Sequence, residues 1–243
     1  MPRALLTLDF WDTLVRSRDR GASRRNRAAL LARLWSIPPA LAAQEMGRFG
    51  GRAHATLSVE DRLRDIARRL DRPSDNDALR DTARRLSDSL LDQQMHLNDW
   101  LLRRLPQLAA DHRVAVVSNT GWSDGQTCRR LLAERSGLPQ DPMQGLTWIG
   151  SDEVGAAKPD PAPFDAAAQL VPAGTPRIHI GDCSDQDVPR SASRWQTLLC
   201  QTLVTRPLPR PLPSRIAGCF ATEAEFDVLL PRVLHRAGRA RPV

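Results

Sequence analysis

Three short apolar runs in this chain each lead into polar residues that can carry chemistry. They are residues 4–8 before Asp9, residues 114–118 ending at Ser118, and residues 177–180 before Gly181 and Asp182. Short apolar runs bounded by turn residues are typical of strands buried on both faces of a parallel sheet. The carboxyl ends of such strands share one edge, where open α/β sheets bind ligands. We therefore predict an α/β fold, a Rossmann-like open parallel sheet with helices on both faces.

A long helical insertion separates the first two strands. Apolar residues recur at helical spacing over residues 24–35, 59–70 and 77–95, and no strand pattern interrupts them. A segment of this length is too long for a loop within one compact domain. We predict an inserted α-helical cap domain at residues 16–97, with the Rossmann-like core formed by residues 1–15 and 98–243. Within the core, helices are predicted at 98–110 and 222–236, and a strand near 216–220.

The charge distribution limits the partners we expect. The formal net charge is +7, but the basic residues alternate with acidic ones along the helices, and tyrosine is absent. Without a basic patch or stacking aromatics we expect no nucleic-acid partner. The sequence has no apolar run long enough to span a membrane and starts without a leader peptide, so we expect a cytoplasmic protein. We expect a monomer or homodimer that binds a small phosphorylated metabolite.

Lys158 is an exception to the composition of the chain. The 35 basic side chains include one lysine, and it lies in the segment Gly155-Ala-Ala-Lys-Pro-Asp-Pro161. An ammonium group is a compact point charge, whereas a guanidinium group presents a flat bidentate edge. A retained lysine therefore indicates a need for the smaller cation, beside a carboxylate or a phosphate.

Taken in order, four motifs resemble those of the haloacid dehalogenase-like (HAD) hydrolase superfamily with a helical C1-type cap. They are Asp9-Phe-Trp-Asp-Thr-Leu14, Ser118-Asn-Thr120, Lys158-Pro159 and Gly181-Asp-Cys-Ser-Asp-Gln-Asp187. The resemblance implies that Asp9 is a nucleophile that forms an aspartyl-phosphate, that Ser118 binds a phosphoryl oxygen, and that Lys158 offsets the negative charge. It also implies that Mg²⁺ is the cofactor. Its ligands would be Asp9, Asp182, Asp187 and the backbone carbonyl of Trp11, since a hard cation prefers oxygen ligands.

Trp11 departs from the pattern of the phosphatases in this superfamily. They usually carry a second aspartate at this place, where it protonates the leaving group and later activates water. Indole cannot transfer that proton, and general acid–base catalysis typically contributes about 10²–10⁴-fold in rate. For a substrate whose leaving group needs no proton, the loss of rate would be much smaller.

Three interpretations of this departure stay open. In the first, which we favour, the chain is a phosphohydrolase or phosphotransferase in which Asp12, His54, His96 or the substrate supplies the proton. In the second, it is a catalytically degenerate binding or regulatory protein. In the third, which we rank last, it is a 2-haloacid dehalogenase. Dehalogenases of this superfamily also have an aromatic residue there but need no metal.

Substrate recognition is expected from residues near the motifs and from the cap. Trp11 and Asn119 adjoin the nucleophile and Ser118, and Trp11 and Trp122 are placed to form an apolar wall. Arg16 follows the nucleophile loop, and Arg52 lies in a glycine-rich break between cap helices. Guanidinium groups bind anionic groups in bidentate fashion, so we predict that Arg16 and Arg52 contact the substrate.

Overall fold

A computed structural model describes residues 3–50, 54–72, 75–137, 146–190, 194–204, 206–208 and 211–239. Six strands form one parallel sheet: β1 (Leu5–Leu8), β4 (Arg113–Ser118), β5 (Thr147–Gly150), β6 (Arg177–Gly181), β7 (Trp195–Cys200) and β8 (Ile216–Phe220). Their order across the sheet is β5-β4-β1-β6-β7-β8. The predicted open α/β sheet is confirmed.

Helices make up most of the remaining described structure. They are α1 (Arg20–Trp35), α2 (Pro39–Arg48), α3 (Val59–Arg69), α4 (Asn76–Asp88), α5 (Asp99–Asp111), α6 (Gly125–Arg135), α7 (Ser151–Val154), α8 (Pro161–Ala168) and α9 (Glu223–Arg239). None of the helices in the described part of the chain is long and apolar enough to cross a membrane.

The sheet is covered on both faces because its central strand has apolar residues on each side. Leu6 and Leu8 of β1 belong to a buried cluster that includes residues of α5, α6 and α9. Leu5 points the opposite way, into a second cluster with residues of α8 and Trp195 of β7. This follows from the alternation of side chains along a strand. Burial on both faces explains why the β1 sequence reads as a nearly continuous apolar run.

The segment between β1 and α5 has a hydrophobic core of its own. Leu31, Met46, Leu63 and Leu86 represent the four helices α1 to α4 in one buried cluster, which is distinct from the two clusters that cover the sheet. A short antiparallel ladder joins the two ends of this segment, pairing β2 (Val15–Ser17) with β3 (Met95–Leu97). We propose residues 16–97 as the cap domain on this basis.

The start of α3 illustrates how local sequence sets these boundaries. The Oγ atom of Ser58 accepts a hydrogen bond from the backbone N–H of Asp61 at 3.0 Å. Such an N-cap satisfies one of the free N–H groups in the first turn, and losing it costs about 1 kcal/mol. Leu63 and Ile66, one turn further on, face the cap core and are fully buried.

The prediction of a helix over residues 77–95 was wrong about where the helix ends. Helix α4 ends at Asp88, and residues 95–97 form β3 instead. The apolar residues Leu90 and Leu91, which prolonged the helical pattern, pack against the core cluster of the sheet. Tertiary packing rather than helical periodicity therefore decides the conformation of this stretch.

Candidate active site

The predicted catalytic residues follow adjacent strands of the sheet. Strand β1 lies between β4 and β6, with Leu8 in register with Val116 on one side and Ile180 on the other. Asp9, Ser118 and Asp182 therefore come to the same edge, and all three are buried. This is the edge at which parallel strands present their carboxyl ends, as the sequence predicted.

Lys158 bridges two of the acidic residues. Its Nζ atom donates hydrogen bonds to Oδ1 of Asp9 and to Oδ1 of Asp187, both at 2.6 Å, and the residue is only 1% exposed. Asn119 fixes the lysine backbone from the neighbouring strand, since its Oδ1 accepts from the N–H of Lys158 at 2.7 Å and its Nδ2 donates to the carbonyl at 3.1 Å. The single lysine of the chain thus lies beside two carboxylates, as its retention among 35 basic residues suggested.

Two groups besides Lys158 hold the carboxylate of Asp187. Its Oδ1 lies 3.1 Å from Nε2 of His179, a buried residue of β6 whose Nδ1 is 2.8 Å from Oγ1 of Thr7. Its Oδ2 accepts from the backbone N–H of Cys183 at 2.9 Å. This orientation is possible because Gly181 has no side chain, and a Cβ there would lie 2.2 Å from Cγ of Asp187.

The ionisation of the site reflects burial and the charges that face each other. Burial raises the pKa of Asp9 to about 8, with the attraction of Lys158 opposing and the carboxylates of Asp187 and Asp182 adding to the rise. Burial and the nearby Asp187 raise the pKa of Asp182 to about 6. Burial would also raise the pKa of Asp187, but Lys158 and His179 outweigh it, so that pKa is lowered. The pKa of Lys158 is raised, because Asp187 and Asp9 overcome the cost of burying the ammonium group.

The acidic cluster fits a hard divalent cation. Asp9, Asp182 and Asp187 each place an oxygen within 4.8 Å of the others, and all three are buried. Lys158 contacts Oδ1 of Asp9, and Nε of Arg206 contacts Oδ2 of Asp182, so among the described residues these two carboxylates each keep a second oxygen for another ligand. When all three carboxylates are ionised, they outnumber the ammonium and guanidinium groups that face them by one charge. An all-oxygen donor set of this charge suits Mg²⁺.

Ser118 presents an unsatisfied hydroxyl group at the end of β4. Its Oγ atom is buried and has no hydrogen-bond partner among the described residues. A buried hydroxyl without a partner is costly, typically about 1–3 kcal/mol, and native structures rarely keep one without a reason. A bound phosphoryl oxygen would supply the missing acceptor.

The carboxylate of Asp12 forms ion pairs with two arginines. It adopts a left-handed backbone conformation with φ of 62° and is 3% exposed. Its Oδ2 atom accepts from Nη2 of Arg206 at 2.9 Å and from Nη2 of Arg20. Two guanidinium groups already occupy this carboxylate oxygen, so the geometry does not favour Asp12 as the proton donor.

A cleft of about 670 Å³ opens beside these residues, between the cap and the core. Its core side includes Trp11, Asn119, Trp122 and Gln186, and its cap side includes residues of α1 and α2. Asp9, Lys158 and Asp182 do not line the cleft themselves, although Asn119 and Gln186 adjoin the motif residues. Trp11 and Trp122 both contribute to the wall, as the sequence suggested.

The other predicted site residues have different positions. Arg16 is not among the described residues of the cleft wall, and its Nη1 atom donates to the carbonyl of Leu203. Arg52 lies outside the described residues. His54 packs its ring 5.2 Å from that of Phe49, and His96 is exposed in β3. Neither histidine belongs to the described wall of the cleft.

Sequence reasoning missed Arg206, Thr7 and His179. Arg206 follows β7 in a proline-rich connector, and its contacts to Asp12 and Asp182 join residues far apart in the sequence. Thr7 and His179 read as ordinary members of two strands, and only the pairing of β1 with β6 brings them together. A polar residue at the same position of both apolar runs was the one available signal.

Replacing Gly181 with alanine should disturb Asp187 and destabilise the fold. The new methyl group would overlap the Asp187 carboxylate and displace it from Lys158 and His179. We expect a loss of about 1–3 kcal/mol in the free energy of unfolding, as is usual for overpacking. Chemical denaturation measures it, with Gly238→Ala as the control, because nothing lies within 4 Å of a Cβ at Gly238. Equal stability of the two variants would contradict the close approach of Asp187.

Comparison with known proteins identifies the fold. No protein-family model matches the sequence, and no curated protein matches it. Among solved structures, a 2-haloacid dehalogenase from Pseudomonas syringae pv. tomato DC3000 superposes with a TM-score of 0.63 at 20% identity, covering 97% of this chain and 99% of its own. A HAD phosphatase from Thermococcus onnurineus gives 0.59 at 14% identity, covering 93% and 97%.

A third structure of this kind is described with a metal. The HAD-hydrolase YfnB from Bacillus subtilis, bound to magnesium, superposes with a TM-score of 0.54 at 17% identity and covers 94% of this chain and 99% of its own. These similarities extend over the sheet and the inserted helices together. At such identities they establish the fold.

Proposed function

We propose that this chain, which has the fold of the HAD-like hydrolases, is a Mg²⁺-dependent phosphohydrolase or phosphotransferase that acts on a small phosphorylated metabolite. The observation that carries the proposal is the buried ammonium group of Lys158 between Asp9 and Asp187, at the strand edge where the Ser118 hydroxyl has no hydrogen-bond partner among the described residues. Each of these groups has a role in phosphoryl transfer.

Asp9 is the nucleophile in this proposal. A carboxylate oxygen of Asp9 attacks phosphorus, the bond from phosphorus to the leaving oxygen breaks, and that oxygen departs with the electron pair. The product is an aspartyl-phosphate, which water hydrolyses by attack at phosphorus to release inorganic phosphate. Lys158 favours the ionised form of Asp9 and offsets the charge of the incoming phosphoryl group.

The remaining residues bind and orient. Ser118 donates its hydroxyl proton in a hydrogen bond to a phosphoryl oxygen, and Asn119 keeps Lys158 in place through the lysine backbone. Asp9, Asp182 and Asp187, with the backbone carbonyl of Trp11, would hold Mg²⁺, which when bound supplies positive charge to the phosphoryl oxygens. His179 and the N–H of Cys183 keep the Asp187 carboxylate facing the site.

The test of this proposal is phosphate release from acetyl phosphate and p-nitrophenyl phosphate in the presence of Mg²⁺. We expect activity that is lost with EDTA and restored by excess Mg²⁺, because three buried carboxylates without a cation repel an anionic substrate. Activity that persists unchanged in EDTA would remove the metal from the proposal.

The rate of phosphoryl transfer should depend strongly on the leaving group of the substrate. Trp11 cannot donate a proton, and Asp12 is occupied by Arg20 and Arg206. We expect acyl and aryl phosphates to react about 10²–10⁴-fold faster than a simple alkyl phosphate of similar size, since that is the usual contribution of general acid catalysis. The ratio of kcat/KM for acetyl phosphate and ethyl phosphate measures this. Equal values would mean that another group supplies the proton.

A binding or regulatory protein is the second candidate. The contact of Arg206 with Asp182 favours it, since a guanidinium group already neutralises part of the acidic cluster. A protein of this kind would bind Mg²⁺ and inorganic phosphate without turning over any phosphate ester. Dehalogenation is the third candidate, and halide release from 2-chloropropionate in EDTA would support it.

A further inference from the structure

The cap side of the cleft is strongly basic. Five arginines contribute to its described wall, and no aspartate or glutamate does. They are Arg20, Arg24, Arg25 and Arg27 of α1, and Arg62 of α3. An enclosed surface of one charge raises the local concentration of counter-ions.

Three of these arginines already have partners. Arg20 donates to Asp12, and Arg25 lies 3.8 Å from a carboxylate oxygen of Asp19. Arg62 is buried, donates to the carbonyl of His54 at 2.7 Å and to that of Gly121, and lies over the ring of Trp122. The contacts of Arg20 and Arg62 are structural, because they join α1 to the nucleophile loop and α3 to the loop after β4, whereas the Arg25 pair is local to the start of α1.

Arg24 and Arg27 are different. Neither forms an ion pair with any of the described residues, and the one hydrogen bond of the Arg27 guanidinium is from Nη2 to Oγ of Ser23 at 2.9 Å. Three residues apart on α1, they share one face of the helix. Burial lowers the pKa of Arg27, and the charge of Arg24 lowers it further. Arg24 is exposed, whereas Arg27 is partly buried and faces a like charge without a compensating anion among the described residues, so a bound anion would stabilise it.

We propose that Arg24 and Arg27 form a second anion-binding subsite, and that the substrate carries a second oxyanion group besides the phosphoryl group transferred at Asp9. Guanidinium groups bind carboxylates and phosphates through two parallel N–H···O contacts. The apolar residues Phe49, Met46 and Trp122 line the same cleft and would contact the carbon chain that joins the two groups. The assignment rests on the proposed function only in placing the phosphoryl group at Asp9.

Binding of non-hydrolysable phosphonates tests this subsite without requiring turnover. The ligands are phosphonoacetate, 3-phosphonopropionate and 4-phosphonobutyrate, which carry a carboxylate at increasing distance, and methylenebisphosphonate, which carries a second phosphonate. Methylphosphonate is the reference with one anionic group. With Mg²⁺ present, at least one of the longer ligands should bind about tenfold or more tightly than methylphosphonate by calorimetry, the usual gain from hydrogen bonds to charged groups. The best ligand identifies the second group as carboxylate or phosphate.

The double variant Arg24→Gln/Arg27→Gln should remove that preference and leave methylphosphonate binding unchanged. Its control is Arg33→Gln, an exposed arginine of the same helix that does not line the cleft, which should keep the preference. The double variant should unfold at the same or a higher temperature than wild type, because it relieves repulsion between the two cations.

Two results would overturn the subsite. One is that no phosphonate in the series binds better than methylphosphonate, including the case in which none binds. The other is that the preference survives in the double variant. A retained preference in wild type together with no turnover of any phosphate ester would instead reject the catalytic proposal and keep the subsite, so the two failures are distinguishable.

Discussion

Asp9→Asn should reduce Mg²⁺-dependent phosphate release to background, a loss of roughly 10⁴-fold or more, as expected when a covalent nucleophile is removed. The amide nitrogen and carbonyl oxygen of asparagine are poor nucleophiles, so no acyl-phosphate can form. The residue is 6% exposed and the change is nearly isosteric, so the fold should persist. Steady-state kinetics with acetyl phosphate measures the loss, and circular dichroism checks the fold.

Asp185→Asn is the matched control for this prediction. This substitution makes the same chemical change at an exposed residue, two residues before Asp187 in the loop after β6. It should leave the rate of phosphate release unchanged. If Asp9→Asn kept substantial activity while remaining folded, another group would be the nucleophile and the roles assigned around Asp9 would be wrong.

Lys158→Met should cause the largest loss of stability among single changes at the site. The substitution keeps most of the side-chain volume but leaves Asp9 and Asp187 facing each other without the ammonium group that now lies 2.6 Å from each. Breaking a buried ion pair by removing one partner typically costs about 3–5 kcal/mol. We expect this decrease in the free energy of unfolding in EDTA, together with loss of activity.

Added Mg²⁺ should restore part of the stability of Lys158→Met, because a bound cation replaces some of the missing positive charge and stabilises the folded state by mass action. Lys158→Arg is the informative companion variant, since it retains the charge but brings a larger planar group into a fully buried space. We expect it to be destabilised as well. Wild-type stability of Lys158→Met in EDTA would contradict the buried ion pair.

The strands that form the centre of the sheet could be predicted from sequence because they are buried on both faces. Strands β1, β4 and β6 begin and end within one residue of the predicted runs. Strand β5 was missed, since its four residues Thr147–Gly150 are too few to establish a period, and their place depends on pairing with β4. Strand β7 mixes Gln196 and Thr197 with apolar residues, and no strand was predicted there.

The candidate site likewise includes residues that the sequence predicts and residues that only the structure reveals. Asp9, Ser118, Lys158, Asp182 and Asp187 could be proposed from the sequence because each stands in a short motif at the end of a predicted strand or in a distinctive segment. The pairing of Arg206 with Asp12 and Asp182 depends on tertiary contacts across the fold. So does the place of Arg24 and Arg27 in the cleft wall, where neither has an ion-pair partner among the described residues. In a chain with 35 basic residues no local pattern distinguishes these arginines from those on solvated helix faces.

The central claim is that Asp9 carries the phosphoryl group, and mass spectrometry of acid-quenched protein after reaction with acetyl phosphate and Mg²⁺ tests it most directly. Because Trp11 cannot activate the hydrolytic water, the aspartyl-phosphate should persist long enough to be trapped. We predict one added phosphoryl group on the peptide that contains Asp9 in wild type, and none in Asp9→Asn. Rapid phosphate release with no phosphorylated wild-type protein, or phosphorylation of a different residue, would contradict the account.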